Sequence, residues 1–285
     1  MRESCSPIPK NPLKTPPDMT APRPHWSQQL PAWRARLRAL PRLLILSDFD
    51  GTLSPIVDHP ELAVLHPDAP PVLEDLLRLH PRVRMAIVSG RSLADLRGRL
   101  AIRQDSLILA GNHGLEMVGA GLDWVHPDAL ALRGFLDTLA VALKDIAPRF
   151  DGAEVEDKGL SLTLHDRRVA AQQLQSLHQA VDRVEIPAGI RRATGKRIIE
   201  FRPDLAWHKG SILRRLQDRL GIPAAATLYL GDDVTDEDAF QKLPEPGLTV
   251  HVGAAETPSA ARFQARDPAD AVQLLAAILK ILREP

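Results

Sequence analysis

The strongest constraint on this chain is a repeated beat in which a short apolar run is followed by a segment with helical spacing of leucine and valine. Leu43-Leu44-Ile45-Leu46, Val83 to Val88 and Leu107-Ile108-Leu109 carry the runs, with helical spacing at Val72 to Leu79 and Leu93 to Leu100 between them. Runs that are apolar on both faces read as strands buried on both sides. Their alternation with helices predicts a parallel sheet covered by helices. The beat breaks at Leu115 to Val125, where two short runs around Gly119-Ala120-Gly121 predict a hairpin rather than a crossover. A different unit follows: amphipathic Leu130 to Ile146, strands near Ala153 to Val155 and Leu160 to Leu164, a helix over Val169 to Val184, and strands near Ile190 to Ala193 and Arg197 to Phe201. From Lys209 the first beat returns through Ser211 to Leu220, Thr227 to Leu230, Glu237 to Leu243, Leu248 to Val252 and Ala269 to Leu282. The reading is a core at 41–115 and 206–285, interrupted by an inserted α+β cap at 116–205.

The stretch from Met1 to about Pro31 holds Pro7, Pro9, Pro12, Pro16, Pro17, Pro22, Pro24 and Pro31 and few large aliphatics. It is expected to be a disordered extension reaching to about residue 40, with a short basic helix over Trp33 to Leu40 at its end. The sole cysteine, Cys5, lies in that tail and excludes an internal disulfide framework. Lys plus Arg equals Asp plus Glu at 36 each, so no net field draws the chain onto nucleic acid or an anionic membrane. No run approaches the roughly 18 to 20 apolar residues that span a bilayer. The expectation is a cytoplasmic protein with no nucleic-acid or membrane partner.

Acids cluster at two strand ends. Asp48-Phe49-Asp50-Gly51-Thr52-Leu53 follows an apolar run, the place where open α/β sheets put their ligands, and an aspartate can serve as covalent nucleophile in phosphoryl transfer. Gly231-Asp232-Asp233-Val234-Thr235-Asp236-Glu237 follows another, and so many acids in one loop repel unless a cation joins them. Magnesium suits hard oxygen donors, here carboxylates of this loop with Asp48 and a loop carbonyl. Val88-Ser89-Gly90-Arg91 ends a strand and opens a helix, offering a hydroxyl and free N–H groups to an anion. Lys209 opens a helix in spite of its dipole, which a neighbouring nucleophile and phosphate would justify.

In this order, and at strand ends, the four segments resemble the haloacid dehalogenase superfamily of phosphatases. The fold implied is α/β, a Rossmann-like parallel sheet core with an inserted cap. The resemblance implies that Asp48 attacks phosphorus and that Asp50 protonates the leaving oxygen and then activates water. It gives Ser89, Gly90 and Lys209 to the phosphate, and Asp48, Asp50 and Asp232 to Mg2+, with Asp233 or Asp236 assisting. Further segments look like the trehalose-6-phosphate phosphatase family: Gly111-Asn112-His113-Gly114-Leu115-Glu116, Glu156-Asp157-Lys158-Gly159, Leu164-His165-Asp166-Arg167 and Gly195-Lys196-Arg197-Ile198-Ile199-Glu200-Phe201-Arg202-Pro203. That resemblance makes trehalose 6-phosphate the expected substrate and a trehalose-phosphate synthase an expected partner. It places Arg91, His113, Glu156, Lys158, Arg167 and Glu200 around the sugar. Two positions depart from the family: His208 stands where Asn is common, and Asp166 where an aromatic residue follows the histidine. Few aromatics besides Trp124, Phe201 and Trp207 are available to stack on a sugar ring. The alternatives are a phosphatase of sucrose phosphate or a mannosyl phosphate, a phosphosugar mutase, and an inactive phosphatase-like binding module. The two changes of pattern put hinges near Gly114 to Glu116 and Pro203 to Trp207.

Overall fold

The apolar runs form the strands of one large sheet, and their order in space decides where chemistry can occur. The computed structural model describes residues 22–284, apart from 58, 101, 103, 104 and 196. Its strands are β1 (Leu43–Ser47), β2 (Val83–Val88), β3 (Leu107–Gly111), β4 (Glu116–Gly119), β5 (Leu122–Val125), β6 (Glu154–Asp157), β7 (Leu162–His165), β8 (Ile190–Gly195), β9 (Ile198–Pro203), β10 (Thr227–Gly231), β11 (Leu248–Val252) and β12 (Phe263–Ala265). Its helices are α1 (Trp26–Ala39), α2 (Ala69–Leu77), α3 (Leu93–Arg99), α4 (Pro127–Ala131), α5 (Arg133–Ile146), α6 (Ala171–Asp182), α7 (Lys209–Leu220), α8 (Val234–Lys242) and α9 (Pro268–Arg283).

The large sheet runs β12-β11-β10-β1-β2-β3-β4-β5 and is parallel from β12 to β3. From β1 the chain steps through β2 and β3 to one side, then returns as β10 on the other, so β1 and β10 flank a topological switch point. Alternation along β1 sends Leu43 and Ile45 to one face, against Leu73 and Leu76 of α2 and Leu275 and Ile278 of α9. Leu44 and Leu46 join the opposite cluster, with Ile212 and Leu216 of α7 and Phe240 of α8.

Two boundaries correct the sequence reading. The helix expected from Trp33 begins earlier, so residues 26–39 are not a disordered extension but helix α1, with Pro31 inside it. Proline in a helix interior costs about 3 kcal/mol. Against that, Trp26, Trp33 and Leu37 are buried, and Trp33 meets Phe263 edge-on at 4.7 Å. Each such burial is worth roughly 1.5–3 kcal/mol, so packing outweighs the proline. Trp33→Ala is expected to cost about 3 kcal/mol in urea unfolding; a loss under 1 kcal/mol would mean that α1 is a loose appendage. The extension up to residue 21, with Cys5, lies outside the described residues, as does Lys196.

The second correction concerns the hairpin. β4 pairs antiparallel with β3, Ala110 opposite Met117, and β5 continues the edge, so residues 116–125 belong to the large sheet. Met117 is buried in the α7-side cluster with Trp124 packed against it, which is what holds the hairpin there. Residues 114–116, read as a hinge, accordingly lead into a strand of the core, and the cap begins after β5. It is an antiparallel sheet, β6-β7-β9-β8, with Leu162, Leu164, Ile199 and Phe201 packed against Leu136 and Leu143 of α5 and Leu177 and Val181 of α6. Phe201 is thus inside the cap and unavailable to a sugar. Alternation turns Glu156, Thr163, His165, Glu200 and Arg202 to the uncovered face.

The chain enters and leaves the cap at neighbouring points. His126 at the entry lies 4.8 Å from Trp207 at the exit, ring centre to ring centre, and Trp124 lies 5.4 Å from Trp207. The guanidinium of Arg215 sits 3.9 Å over Trp124, and Trp207 Nε1 donates to the Gly114 carbonyl at 3.0 Å.

Candidate active site

Asp48 leaves β1 still paired, its N–H donating to the Leu230 carbonyl of β10 at 2.9 Å. Phe49 is fully buried and its carbonyl accepts from Leu53 and Ser54, which closes the turn. Gly51, at φ +76°, is required here: a Cβ on it would lie 2.0 Å from Asp232 Oδ2. The β1 and β10 loops therefore interlock, and Thr52 Oγ1 donates to Asp232 Oδ1 at 3.3 Å.

Lys209, the first residue of α7, reaches Asp48 Oδ1 at 3.1 Å and Asp236 Oδ1 at 2.8 Å, with all three side chains buried. Burial alone would push the Lys209 amine down, but Asp236 and Asp48 raise it above the ordinary lysine value. Asp236 Oδ1 also accepts from the Tyr229 hydroxyl at 2.8 Å, and Oδ2 from the Asp233 N–H at 3.2 Å. Asp233 is the exposed N-cap of α8.

Asp48, Asp232 and Asp236 each bring one carboxylate oxygen to within 4.8 Å of the others. Burial, with the other acids, pushes the Asp48 carboxyl well up despite Lys209. Burial and Asp236 push Asp232 up to about 7. One lysine does not neutralise this cluster, and its donors are hard oxygens, so the residues present fit a divalent cation. Asp236 is already occupied by three donors, which leaves Asp48 and Asp232 as the carboxylates best placed to turn an oxygen to the ion. Asp50 and Asp233 stand outside the triad.

Beside this cluster the β2 and β3 loops build a second wall. Ser89 is buried and its Oγ accepts from the Arg91 N–H at 3.2 Å. Gly90 lets the His113 ring approach, since a Cβ there would lie 2.7 Å from His113 Cε1. Asn112, His113 and Gly114 adopt φ values of 50°, 57° and 87° in succession. Left-handed backbone costs of order 1–3 kcal/mol at each non-glycine residue and persists only where surroundings enforce it. Here they do: Asn112 is buried, its Nδ2 donates to Glu116 Oε1 at 2.7 Å and to the Lys158 carbonyl at 2.9 Å, and its Oδ1 accepts from Ser161 Oγ at 2.8 Å. Core and cap are thereby latched through one side chain.

The cap face opposite carries two histidine-held glutamates. His165 Nε2 donates to Glu156 Oε2 at 2.9 Å, and His113 Nε2 to Glu200 Oε1 at 3.3 Å. Glu156 and Glu200 flank Thr163 across the strands, and Lys158 Nζ donates to the Gly90 carbonyl at 3.4 Å. Arg167 is exposed, and its Nη1 donates to the Val57 carbonyl of the core at 3.4 Å. Arg91 grips Asp50 rather than open space, Nε to Oδ2 and Nη2 to Oδ1 at 2.7 Å each. Burial alone would raise the Glu200 carboxyl, but the His113 hydrogen bond and the Lys158 and Arg202 charges carry it from 4.5 down to about 2. Ionised Glu200 therefore contributes stability that is complete above about 4.5 and lost as pH falls toward 2. Acid unfolding across that window is expected to be shallower in Glu200→Gln than in the parent; matching slopes would remove Glu200 from the account.

Of the residues read from the sequence, Asp48, Lys209, Asp232 and Asp236 meet at one strand-end cluster, Ser89 lies in the wall beside it, and His113, Glu156, Lys158 and Glu200 gather beneath the cap. The candidates read from the sequence did not include Tyr229, Asn112, Glu116 and His165, which the structure places in contact with them or with one another. Tyr229 is the chain's only tyrosine, on the strand that delivers Asp232, and that was a usable signal. Of the two departures, Asp166 is buried inside the cap on His178 and Arg197, away from the site, and His208 caps α7.

A carboxylate at the switch point of a Rossmann-like parallel sheet, paired with a helix-borne lysine and roofed by an inserted cap, defines the haloacid dehalogenase-like fold class. Residues 46–269 match the family described as trehalose-phosphatase, and the chain belongs to that family. An uncharacterized glycosyl hydrolase of Mycobacterium tuberculosis is 38% identical over 255 residues, which are 85% of this chain and 19% of that protein. A trehalose-phosphate phosphatase of Mycobacterium bovis is 35% identical over 247 residues, 84% of this chain and 62% of its own length. The chain thus spans less than two thirds of these curated relatives. The solved C-terminal domain of a trehalose-6-phosphate phosphatase from C. albicans is 25% identical, with a TM-score of 0.73 over 91% of this chain and 99% of that one. Among the described residues no helix is long and apolar enough to cross a membrane.

Proposed function

We propose that the protein is a magnesium-dependent phosphatase that hydrolyses trehalose 6-phosphate to trehalose and phosphate through an aspartyl phosphate on Asp48. The observation that carries this reading is the pairing of two half-sites: Asp48 on Lys209 at the end of β1, below a cap face that offers Glu156, Lys158 and Glu200. A polyol is recognised by such charged acceptors and donors, because leaving them unpaired when buried is costly.

An Asp48 oxygen attacks phosphorus while the bond from phosphorus to the sugar oxygen breaks, and Asp50 protonates that oxygen as it leaves. Water then attacks the aspartyl phosphate, Asp50 takes its proton, and the bond from phosphorus to Asp48 breaks to release phosphate. Lys209 and the Ser89-Gly90 loop hold the phosphate, and His113, Glu156, Lys158, Arg167 and Glu200 hold the sugar. Mg2+, held by Asp48, Asp232 and a loop carbonyl with Asp236 beside them, would neutralise phosphate charge. Together these effects must supply on the order of 20 kcal/mol. A trehalose-phosphate synthase is the partner this chemistry calls for, since it would make the substrate. The cytoplasm is the proposed compartment, because a charged sugar phosphate stays where it is formed.

The test is phosphate release from trehalose 6-phosphate, glucose 6-phosphate and sucrose 6-phosphate, with Mg2+ and with excess chelator. A chelator-sensitive preference for trehalose 6-phosphate is expected. Activity spread evenly over the three sugars would remove the substrate assignment, and silence from folded protein would remove the enzyme.

A further inference from the structure

The family resemblance puts Arg91 at the sugar, but its geometry gives it other work. Both oxygens of Asp50 accept from its fork at 2.7 Å, and its Nη1 donates to Asp95 Oδ2 at 2.6 Å. The Arg91 side chain is 12% exposed and that of Asp50 41%, so the pair meets the active-site opening through Asp50. Asp95 in turn accepts from Arg99 Nε at 2.8 Å, and Arg99 Nη1 donates to the carbonyls of Glu61 and Ala63 at 2.8 and 3.1 Å. The guanidinium also lies 5.6 Å from the ring centre of Phe49, the buried residue between Asp48 and Asp50. A row of alternating charges, Asp50-Arg91-Asp95-Arg99, is thus anchored to backbone at its far end. A bidentate guanidinium fixes the plane of a carboxylate as a single hydrogen bond does not. With both oxygens accepting from Arg91, the remaining lone pairs of Asp50 are aimed outward as acceptors.

We propose that Arg91 is a positioning residue that orients Asp50 to take the proton of the water attacking the aspartyl phosphate, and that it does not contact the sugar. The proposal rests on the reading that Asp48 is the nucleophile and Asp50 its acid and base. In the step concerned, the water oxygen bonds to phosphorus, the phosphorus bond to Asp48 Oδ breaks, and the water proton passes to the outward lone pair of Asp50. An aryl phosphate with a good leaving group needs no proton in the first half of the cycle, so with that substrate the second half stands alone.

The experiment uses the full chain with Mg2+, comparing the parent with Arg91→Lys and Arg91→Gln on 4-nitrophenyl phosphate and trehalose 6-phosphate. Turnover is stopped in acid and the fraction of protein carrying hydroxylamine-labile phosphate is counted. Expected for Arg91→Gln is a burst of 4-nitrophenol near one equivalent, a phosphoenzyme fraction several-fold above the parent, and a steady rate about 10²-fold lower. Arg91→Lys, which keeps the charge and lacks the fork, should lie between and serves if the Gln variant folds poorly. A raised KM for trehalose 6-phosphate without phosphoenzyme build-up would return Arg91 to the sugar and overturn the proposal. Equal losses on both substrates without build-up would make it structural and would overturn the proposal as well. If the parent itself turns over without labile phosphate that depends on Asp48, the underlying reading falls and takes this proposal with it.

Discussion

Asp48→Asn will remain folded and lose at least about 10⁴-fold in phosphate release, a loss of the size seen when an enzyme's nucleophile is removed. The amide has nearly the volume of the carboxylate, so the turn closed by Phe49 and Gly51 keeps its shape. Lys209 keeps Asp236 as a partner at 2.8 Å. Burial, with Asp236, Asp232 and Asp50, raises the Asp48 carboxyl despite Lys209. A carboxyl raised in the folded state costs stability at neutral pH, and the cost fades as pH falls from its folded value and is gone below its unfolded one. The variant is therefore expected to melt no lower than the parent at pH 7, and higher if no divalent ion is added. Residual turnover above about 1% of the parent in Mg2+ would rule out the covalent route.

Lys209→Met carries the largest expected effect on stability. The side chain is 2% exposed and stands between Asp48 and Asp236, so its loss leaves two buried carboxylates facing each other with no cation. Removing one partner of a buried ion pair costs about 3–5 kcal/mol, and methionine keeps the volume so that the loss reports charge. Two recoveries should accompany it. Lowering the pH toward the raised carboxyl values protonates Asp48 and Asp232, and millimolar Mg2+ replaces the missing charge. Urea unfolding at pH 7 with and without Mg2+ checks both. A cost under 1 kcal/mol, or one indifferent to Mg2+, would mean that the carboxylates are not held together as charges.

Why these residues were legible, and others not, follows from how local their reasons are. β1 and β10 could be read because strands covered on both faces are apolar throughout, and the acids at their ends are contiguous with them. Only the second half of α1, from Trp33, could be read, because the cost of Pro31 is written in the sequence beside it while the compensation for the first half comes from α9 and Phe263 at the far end of the chain. The hairpin β4-β5 was assigned to the cap because a break in rhythm looks the same whether the new strands start another sheet or extend the old one antiparallel. The fork of Arg91 on Asp50 could not be read, because the two partners are 41 residues apart in the chain. Of the left-handed residues 112 to 114, Gly114 announced itself most plainly, since Asn112 is held by its Glu116, Lys158 and Ser161 contacts and His113 by Ser89 and Glu200, all of them beyond the segment itself.

The closeness of His126 to Trp207 also bears on how the chain folds. A segment whose two ends already touch behaves, for the rest of the chain, as one closed loop. The entropy of closing a loop grows only logarithmically with its length, about 0.6 kcal/mol per doubling. The cap has its own main apolar cluster, separate from those of the large sheet, while Leu160 is buried with Leu115 at the junction, so most of its apolar side chains do not depend on the sheet. Carrying the cap costs the sheet little more than carrying a short surface turn would. A few residues bridging 126 to 207 are therefore expected to leave a sheet that still folds cooperatively, stripped of the groups that face the sugar.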